Sequence, residues 1–138
     1  RQLAEEKGME FRELCEKAKT DYSYDRELDR RQVEMAHEGD CVLGSRLAIW
    51  MLKDADLKIF LNASAETRAG RILEREGGTL EDVMRETEKR DSSDSGRYKD
   101  IYQIDNNSYE FADLIINTDK LDQYQVAEII IAAAKYLQ

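Results

Sequence analysis

Three short apolar runs, with helical sequence between them, constrain the fold of this chain more than any other feature. They are 41-CVLGS-45, 57-LKIFLNAS-64 and 113-DLIINT-118. Each has the length and composition of a buried strand, and the longer segments between them have helical spacing. Strands that alternate with helices are typical of an α/β domain with a parallel sheet. We therefore predict an α/β fold in which helices flank a parallel β-sheet.

Glycines and capping residues divide the rest of the chain into helices. One helix is expected to end at Gly8, and the chain has no proline to interrupt the others. The remaining predicted helices cover residues 9–19, 25–39, 46–55, 65–77 (capped by Ser64), 79–102 (started by Thr79 and Asp82) and 123–137 (preceded by Asp122).

Composition restricts the class of protein. A chain of 138 residues with 41% hydrophobic residues is large enough for one domain with a real core. The net charge of −9 argues against a nucleic-acid partner, which needs an electropositive face. One histidine and two cysteines without metal-ligand spacing argue against a zinc site. With no apolar run near the ~18 residues of a membrane span and no signal peptide, a cytoplasmic protein is expected.

The segment 89-KRDSSDSGRYKDIY-102 is the first candidate for a site. No apolar residue occurs from Arg85 to Gly96. If residues 79–102 form one helix, Arg90, Asp94 and Arg97 share a face. Guanidinium groups suit phosphate oxygens, and a carboxylate suits the hydroxyls of a sugar. A solvated face with ordinary ion pairs explains the same pattern, and local sequence leaves both interpretations open.

Other arginines and aspartates add weaker candidates. Arg46 follows the first predicted strand, at the edge where parallel sheets bind ligands. Asp25, Asp29 and Gln32 share one helical face, where they can hydrogen-bond a base or form ordinary salt bridges. Arg68, Arg71 and Arg75 precede Gly77-Gly78 and suit either a mobile lid or a wet surface.

Taken in order, the segments of this chain resemble the archaeal type of cytidylate kinase, a nucleoside monophosphate kinase of the P-loop superfamily. The resemblance rests on RQLAEEKGM, DRELDRRQVEMAHEG, CVLGSRLAIWMLKDADLKIFLNAS, ETRAGRILEREG, RDSSDSGRYKDIYQID and FADLIINTDK. Related kinases carry an Arg-x-x-x-Asp-x-x-Arg arrangement after the lid, a spacing that Arg90, Asp94 and Arg97 reproduce.

The resemblance implies a role for each candidate residue. Arg90 and Asp94 would hold the ribose of the acceptor nucleotide, and Arg97 would bind phosphate near the transferred group. Arg1 would grip the acceptor phosphate, and Arg46 would face the acceptor nucleotide. The remaining candidates are Asp25 and Asp29 in the region of the base, with either one as the base contact, and Arg71 and Arg75 as lid arginines that act with Arg97 in catalysis.

The same resemblance implies how one domain of residues 1–138 is organised. Residues from about 1 to 40 would form the helical region that binds the monophosphate, and residues 64–100 the lid with its flanking helices. The rest would form the core.

Two positions depart from the family pattern. Leu47 stands where bacterial relatives have an aspartate that reads cytosine, and Gly44-Ser45-Arg46 replaces a common Glu-Gly-Arg.

The function implied is ATP-dependent phosphorylation of CMP or dCMP in pyrimidine metabolism, with Mg²⁺ as the metal. These kinases bind ATP phosphates and Mg²⁺ through a glycine-rich loop containing Gly-Lys-Thr/Ser, which the 138 residues lack. We therefore expect a fragment without its first strand, loop and helix, inactive alone and open to self-association through the shortened sheet. The alternatives are another small P-loop kinase, of the adenylate or shikimate type, and a non-catalytic nucleotide-binding or scaffold domain.

Overall fold

Seven helices and two strands form within residues 1–137, the part of the chain that the structure, a computed structural model, describes. In chain order they are α1 (Gln2–Glu6), α2 (Phe11–Ala18), α3 (Ser23–Ala36), α4 (Ala48–Met51), β1 (Ile59–Asn62), α5 (Ala65–Glu76), α6 (Leu80–Tyr102), β2 (Leu114–Asn117) and α7 (Gln123–Lys135). Within the described residues, no helix combines the length and the apolar character that crossing a membrane requires.

The two strands form a parallel sheet. Ile59 pairs with Leu114, and Asn62 pairs with Asn117. Parallel strands need a long crossover between them, which α5 and α6 provide. The predicted α/β class with a parallel sheet is therefore confirmed, in a form that is rich in helix.

One predicted strand is wrong. Residues 41–45 have an irregular backbone, and Val42 is 98% exposed. An apolar run becomes a strand only when a neighbouring strand pairs with its backbone, and none of the described residues pairs with this run. The sheet has two strands here, where the sequence pattern indicated three.

Side-chain caps begin three helices where the sequence predicted them. The Ser64 hydroxyl accepts a hydrogen bond from the Thr67 amide at 3.2 Å, and the Thr79 hydroxyl accepts one from the Asp82 amide at 3.3 Å. Asp122 forms a complete capping box with Gln125. Between α5 and α6, Gly77 and Gly78 have φ angles of 77° and 103°, which favour glycine. The break between these helices is therefore encoded locally.

The core is small and divided. Leu3, Ala4 and Leu14 form a buried cluster that joins α1 to α2. Beside the sheet, the Phe60 ring stacks on Tyr109 with 3.9 Å between centroids, and Trp50 packs edge-on against Phe60. Helix α5 packs along α6. Helix α6 therefore has α5 along one side, and its second half is joined to α3 by the hydrogen bonds of Arg97 and Tyr102.

Candidate functional site

A cleft of about 210 Å³ lies between α3, the turn that precedes α4, and α6. Its lining combines apolar, amide, hydroxyl and charged side chains: Leu28, Asp29, Gln32, Ser45, Arg46, Leu47 and Tyr98. Pockets for small ligands typically pair apolar walls with a few polar groups that fix orientation. This cleft has that character.

Asp94 connects the two arginines beside the cleft. Its Oδ2 accepts a hydrogen bond from Arg46, and its Oδ1 forms an ion pair with Arg97 Nη2 at 3.1 Å. Only 11% of the Asp94 side chain is exposed. Since α6 runs unbroken from Leu80 to Tyr102, Asp94 and Arg97 stand one turn apart on one face. Arg46 reaches the same carboxylate from outside the helix.

Each of the three nitrogens of the Arg97 guanidinium has a protein partner. Its Nε donates to Asp25 Oδ2 at 3.0 Å, and its Nη1 donates to the Ser93 hydroxyl at 3.4 Å. Its Nη2 forms the ion pair with Asp94, and the side chain is 19% exposed. A phosphate would therefore have to compete with Asp25 and Asp94 for the charge of Arg97 in this conformation.

Arg46 is the more available cation. Its side chain is 48% exposed, it lines the cleft, and only its Nη1 donates to the protein among the described residues. Burial lowers the pKa of Arg46, and the positive charge of Arg90 lowers it further. An arginine still keeps its charge at neutral pH. Arg46 therefore offers unused guanidinium donors to an anion in the cleft.

Asp29 is held by a tyrosine. The Tyr102 hydroxyl donates to Asp29 Oδ2 at 2.6 Å. Burial raises the pKa of Asp29, and the nearby charge of Asp25 adds to that rise. Burial and the hydrogen bond to Asp29 raise the pKa of Tyr102, so its hydroxyl stays protonated and donates.

Five of the predicted site residues come together around the cleft: Asp25, Asp29, Arg46, Asp94 and Arg97. Arg90 lies on α6 one turn before Asp94, is exposed, and bonds to no acceptor within the described residues. It acts on Arg46 through its charge. The cluster thus gathers residues that local sequence could place only on separate helices.

Three predicted residues lie outside this cluster. Arg1 precedes α1 and stacks over the Phe11 ring at 5.8 Å. Arg71 donates to the Thr118 carbonyl at 2.7 Å and to the Leu121 carbonyl at 3.3 Å, so it ties α5 to the segment after β2. Arg75 pairs with its neighbour Glu76 on the surface. None of the three contacts the cleft in this conformation.

Sequence reasoning missed two residues of the site. Tyr98 is buried and lines the cleft, and Tyr102 holds Asp29. The signal was present, because Asp94, Tyr98 and Tyr102 follow one another at intervals of four on α6. Arg68, which the sequence placed with Arg71 and Arg75, lies outside the cleft, and its Nη1 donates to Asp91 at 2.6 Å across the α5–α6 interface.

No group of three or more His, Cys, Asp or Glu side chains within residues 1–137 is arranged to hold a metal ion. The carboxylates of Asp25 and Asp94 are occupied by arginines. Guanidinium, carboxylate and amide groups of this kind are suited to hydrogen bonds with a polar, negatively charged ligand.

Comparison with known proteins gives consistent results. The model of the cytidylate kinase-like family matches residues 2–120. A cytidylate kinase of Pyrococcus horikoshii is 44% identical over 99% of this chain and 71% of its own length. A cytidylate kinase 2 of Borreliella afzelii is 43% identical over 93% of this chain and 74% of its own length. A cytidylate kinase of Methanocaldococcus jannaschii is 39% identical, covering the whole chain and 80% of its own.

Proposed function

This chain belongs to the cytidylate kinase-like family, and we propose that its cleft binds CMP or dCMP as the acceptor of a phosphoryl group from ATP. The observation that carries the proposal is the arrangement of Arg46, Asp94 and Asp29 around one cleft of nucleotide-like polarity. The proposal pairs the phosphate with Arg46, the ribose with Asp94 and the base with Asp29. The enzyme class is that of the nucleoside monophosphate kinases.

The phosphate end of the acceptor is proposed to face Arg46, with Arg97 available once the ligand competes for its donors. Guanidinium groups bind two phosphate oxygens at once, which fixes position as well as charge. Phosphoryl transfer depends mainly on positioning and on neutralising negative charge. Arg46 supports both tasks from a half-exposed position.

The ribose end is proposed to lie along α6. Asp94 is a carboxylate that can accept from a sugar hydroxyl, and Arg90 is an exposed donor one turn away. Arg71 and Arg75 stay candidates for lid arginines, and Arg1 for a phosphate contact. To act in these roles, Arg71 and Arg75 would need a movement of α5 toward the cleft, and Arg1 would need a movement of the first residues.

ATP is the phosphoryl donor that this family implies, together with Mg²⁺. Mg²⁺ typically binds through one or two carboxylates together with the phosphates of its nucleotide. Negligible turnover by the 138-residue polypeptide stays a prediction. Turnover of CMP with MgATP by this polypeptide would contradict it. A cytoplasmic location, independence from nucleic acid and self-association also stay predictions.

The first test is calorimetric titration of the 138-residue chain with CMP, cytidine, AMP and shikimate. CMP should bind at least about tenfold more tightly than cytidine, because hydrogen bonds to charged groups contribute about 1.5–3 kcal/mol. AMP and shikimate represent the rival kinase types and should bind more weakly than CMP. Equal affinity for CMP and cytidine would overturn the proposal.

Arg90→Ala sharpens this test, because Arg90 has no protein partner among the described residues. Its loss should weaken CMP binding about tenfold, which corresponds to about 1.4 kcal/mol, and leave the unfolding midpoint unchanged. Arg85→Ala is the matched control. Arg85 pairs with Asp82 at 3.2 Å on the surface of the same helix, away from the cleft.

A further inference from the structure

We propose that Asp29 is the residue that selects cytosine over uracil, with Tyr102 as the residue that positions its carboxylate. The inference rests on the proposed function, since it assumes that a pyrimidine nucleotide occupies the cleft. It goes further because it assigns the choice of base to one hydrogen-bond acceptor and names the group that orients it.

Location separates Asp29 from the other candidate on α3. Asp29 lines the cleft, whereas Asp25 is paired with Arg97. Gln32 follows Asp29 by three residues, so both side chains stand on the same face of α3 and both line the cleft. Asp29 is also the only carboxylate in the lining. The turn contributes Leu47, which is apolar and 2% exposed.

The hydrogen bonds of Asp29 leave one oxygen unused. Tyr102 donates to Oδ2 at 2.6 Å, and no other described side chain donates to this carboxylate. An ionised carboxylate only accepts hydrogen bonds. A base that packs against Asp29 must therefore bring a donor, or a buried acceptor goes unsatisfied at a cost of about 1–3 kcal/mol.

Cytosine and uracil differ in this respect. Cytosine carries an exocyclic amine, a donor, where uracil carries a carbonyl oxygen, an acceptor. A carboxylate facing this position attracts the amine and repels the carbonyl. Gln32 has an amide without a hydrogen-bond partner among the described residues, and an amide can donate to the ring nitrogen or carbonyl that cytosine presents beside the amine.

Tyr102 makes the selection directional. Its hydroxyl fixes one carboxylate oxygen from α6, so the Asp29 side chain cannot turn freely in the cleft. Because the pKa of Tyr102 is raised, the hydroxyl keeps its proton and remains a donor. In Asp29→Asn, this donor should bind the amide oxygen and direct the amide NH₂ toward the base. The variant would then present a donor where the natural chain presents an acceptor.

The experiment measures the affinities of CMP, UMP, cytidine and uridine for the 138-residue chain by calorimetry. The natural chain should prefer CMP to UMP by about tenfold or more. Asp29→Asn should lose this preference or reverse it. In Tyr102→Phe, Asp29 keeps its carboxylate but loses the hydrogen bond that orients it. The preference for CMP over UMP should therefore fall several-fold. Tyr102→Phe also tests the proposal if Asp29→Asn fails to fold.

Tyr22→Phe is the matched control. The Tyr22 hydroxyl donates to Asp100 at 3.3 Å, which is a second tyrosine–aspartate bond that ends on α6, outside the cleft. Its removal should leave the CMP preference unchanged. Equal weakening of CMP and UMP by Asp29→Asn, with phosphate-dependent binding intact, would overturn the selection by Asp29 alone. Loss of the difference between CMP and cytidine in the natural chain would instead overturn the proposed function.

Discussion

At the scale of the residue, the site depends on which partner each charge has. Asp94 is buried and shared by Arg46 and Arg97, so none of the three is an isolated charge. Asp25 pairs with the Nε of Arg97. Asp29 differs, because its only donor among the described residues is a neutral hydroxyl. Burial raises the pKa of Asp29, although the hydrogen bond from Tyr102 and the charge of Arg97 act in the opposite direction.

This difference predicts how Asp29 contributes to stability as pH changes. Burial raises the pKa of Asp29 above its ordinary value of 3.8, so the folded state binds the proton more tightly than the unfolded state. Its contribution favours folding below that value and is lost as pH rises through the folded pKa. The groups facing it are Tyr102, Asp25 and Arg97. The free energy of unfolding of the natural chain should therefore fall relative to Asp29→Asn as pH rises.

Urea unfolding of both chains at about pH 4 and about pH 7 checks this prediction. The quantity to compare is the difference in free energy of unfolding between the two chains. Exposed carboxyls whose pKa values are lowered make stability rise with pH, and this contribution is common to both chains. Glu16 is one, since its bond to Lys19 lowers its pKa. A constant difference between the natural chain and Asp29→Asn would contradict the predicted shift.

At the scale of the element, α6 determines the geometry of the site. It supplies Asp94, Arg97, Tyr98 and Tyr102, and it also packs against α5. Its sequence is poor in apolar residues, so it receives little stabilisation from burial. Its continuity relies on the cap at Thr79 and on the contacts of its second half with α3. Weakening the first turn should therefore lower the stability of the whole helix.

Thr79→Ala tests the contribution of the cap. It removes the hydroxyl that accepts from the Asp82 amide, and it should lower the free energy of unfolding by about 1 kcal/mol. Thr79→Ser keeps the hydroxyl and should retain most of the stability. Circular dichroism at 222 nm during denaturation measures both variants. The cleft lies far from Thr79 along α6. The affinity for CMP should therefore be unchanged in both variants under conditions in which they are fully folded. Equal stability of the alanine and serine variants would show that the cap contributes little.

At the scale of the whole molecule, the site joins segments that are distant in sequence. Arg97 and Asp25 are 72 positions apart, and Arg46 and Asp94 are 48 apart. The sheet has only two strands, and the buried clusters are small. A ligand that contacts α3, the turn before α4 and α6 at the same time should therefore stabilise the folded state beyond what the small apolar core provides.

CMP should stabilise the chain against denaturation. A ligand at one hundred times its dissociation constant adds about 2.7 kcal/mol when it binds only the folded state. The urea midpoint should rise with CMP, and it should rise less with cytidine at the same concentration. Asp29→Asn should show a smaller rise with CMP than the natural chain. No change in midpoint at a CMP concentration that saturates the calorimetric titration would contradict this prediction.

Local pattern was sufficient for the starts of three helices and not for every strand. Ser64, Thr79 and Asp122 begin helices where their side chains predicted, because a cap bonds amides only two or three residues away. The runs around Ile59 and Leu114 became strands because they pair with each other. The run at 41–45 has the same apolar signal but no partner within the described residues. Strand formation is a property of two segments, so the signal in one segment was insufficient.

By itself, the sequence determined the α/β class, the caps, the unbroken helix that places Asp94 and Arg97 on one face, and the family resemblance. Only the tertiary structure decided that Asp29 lines the cleft while Asp25 pairs with Arg97, that Arg46 shares Asp94, and that Tyr102 holds Asp29. The physical reason is the range of the interactions. Helical periodicity orders residues within a few turns, whereas these ion pairs and hydrogen bonds join side chains 48 to 73 positions apart, whose distances depend on how the helices pack.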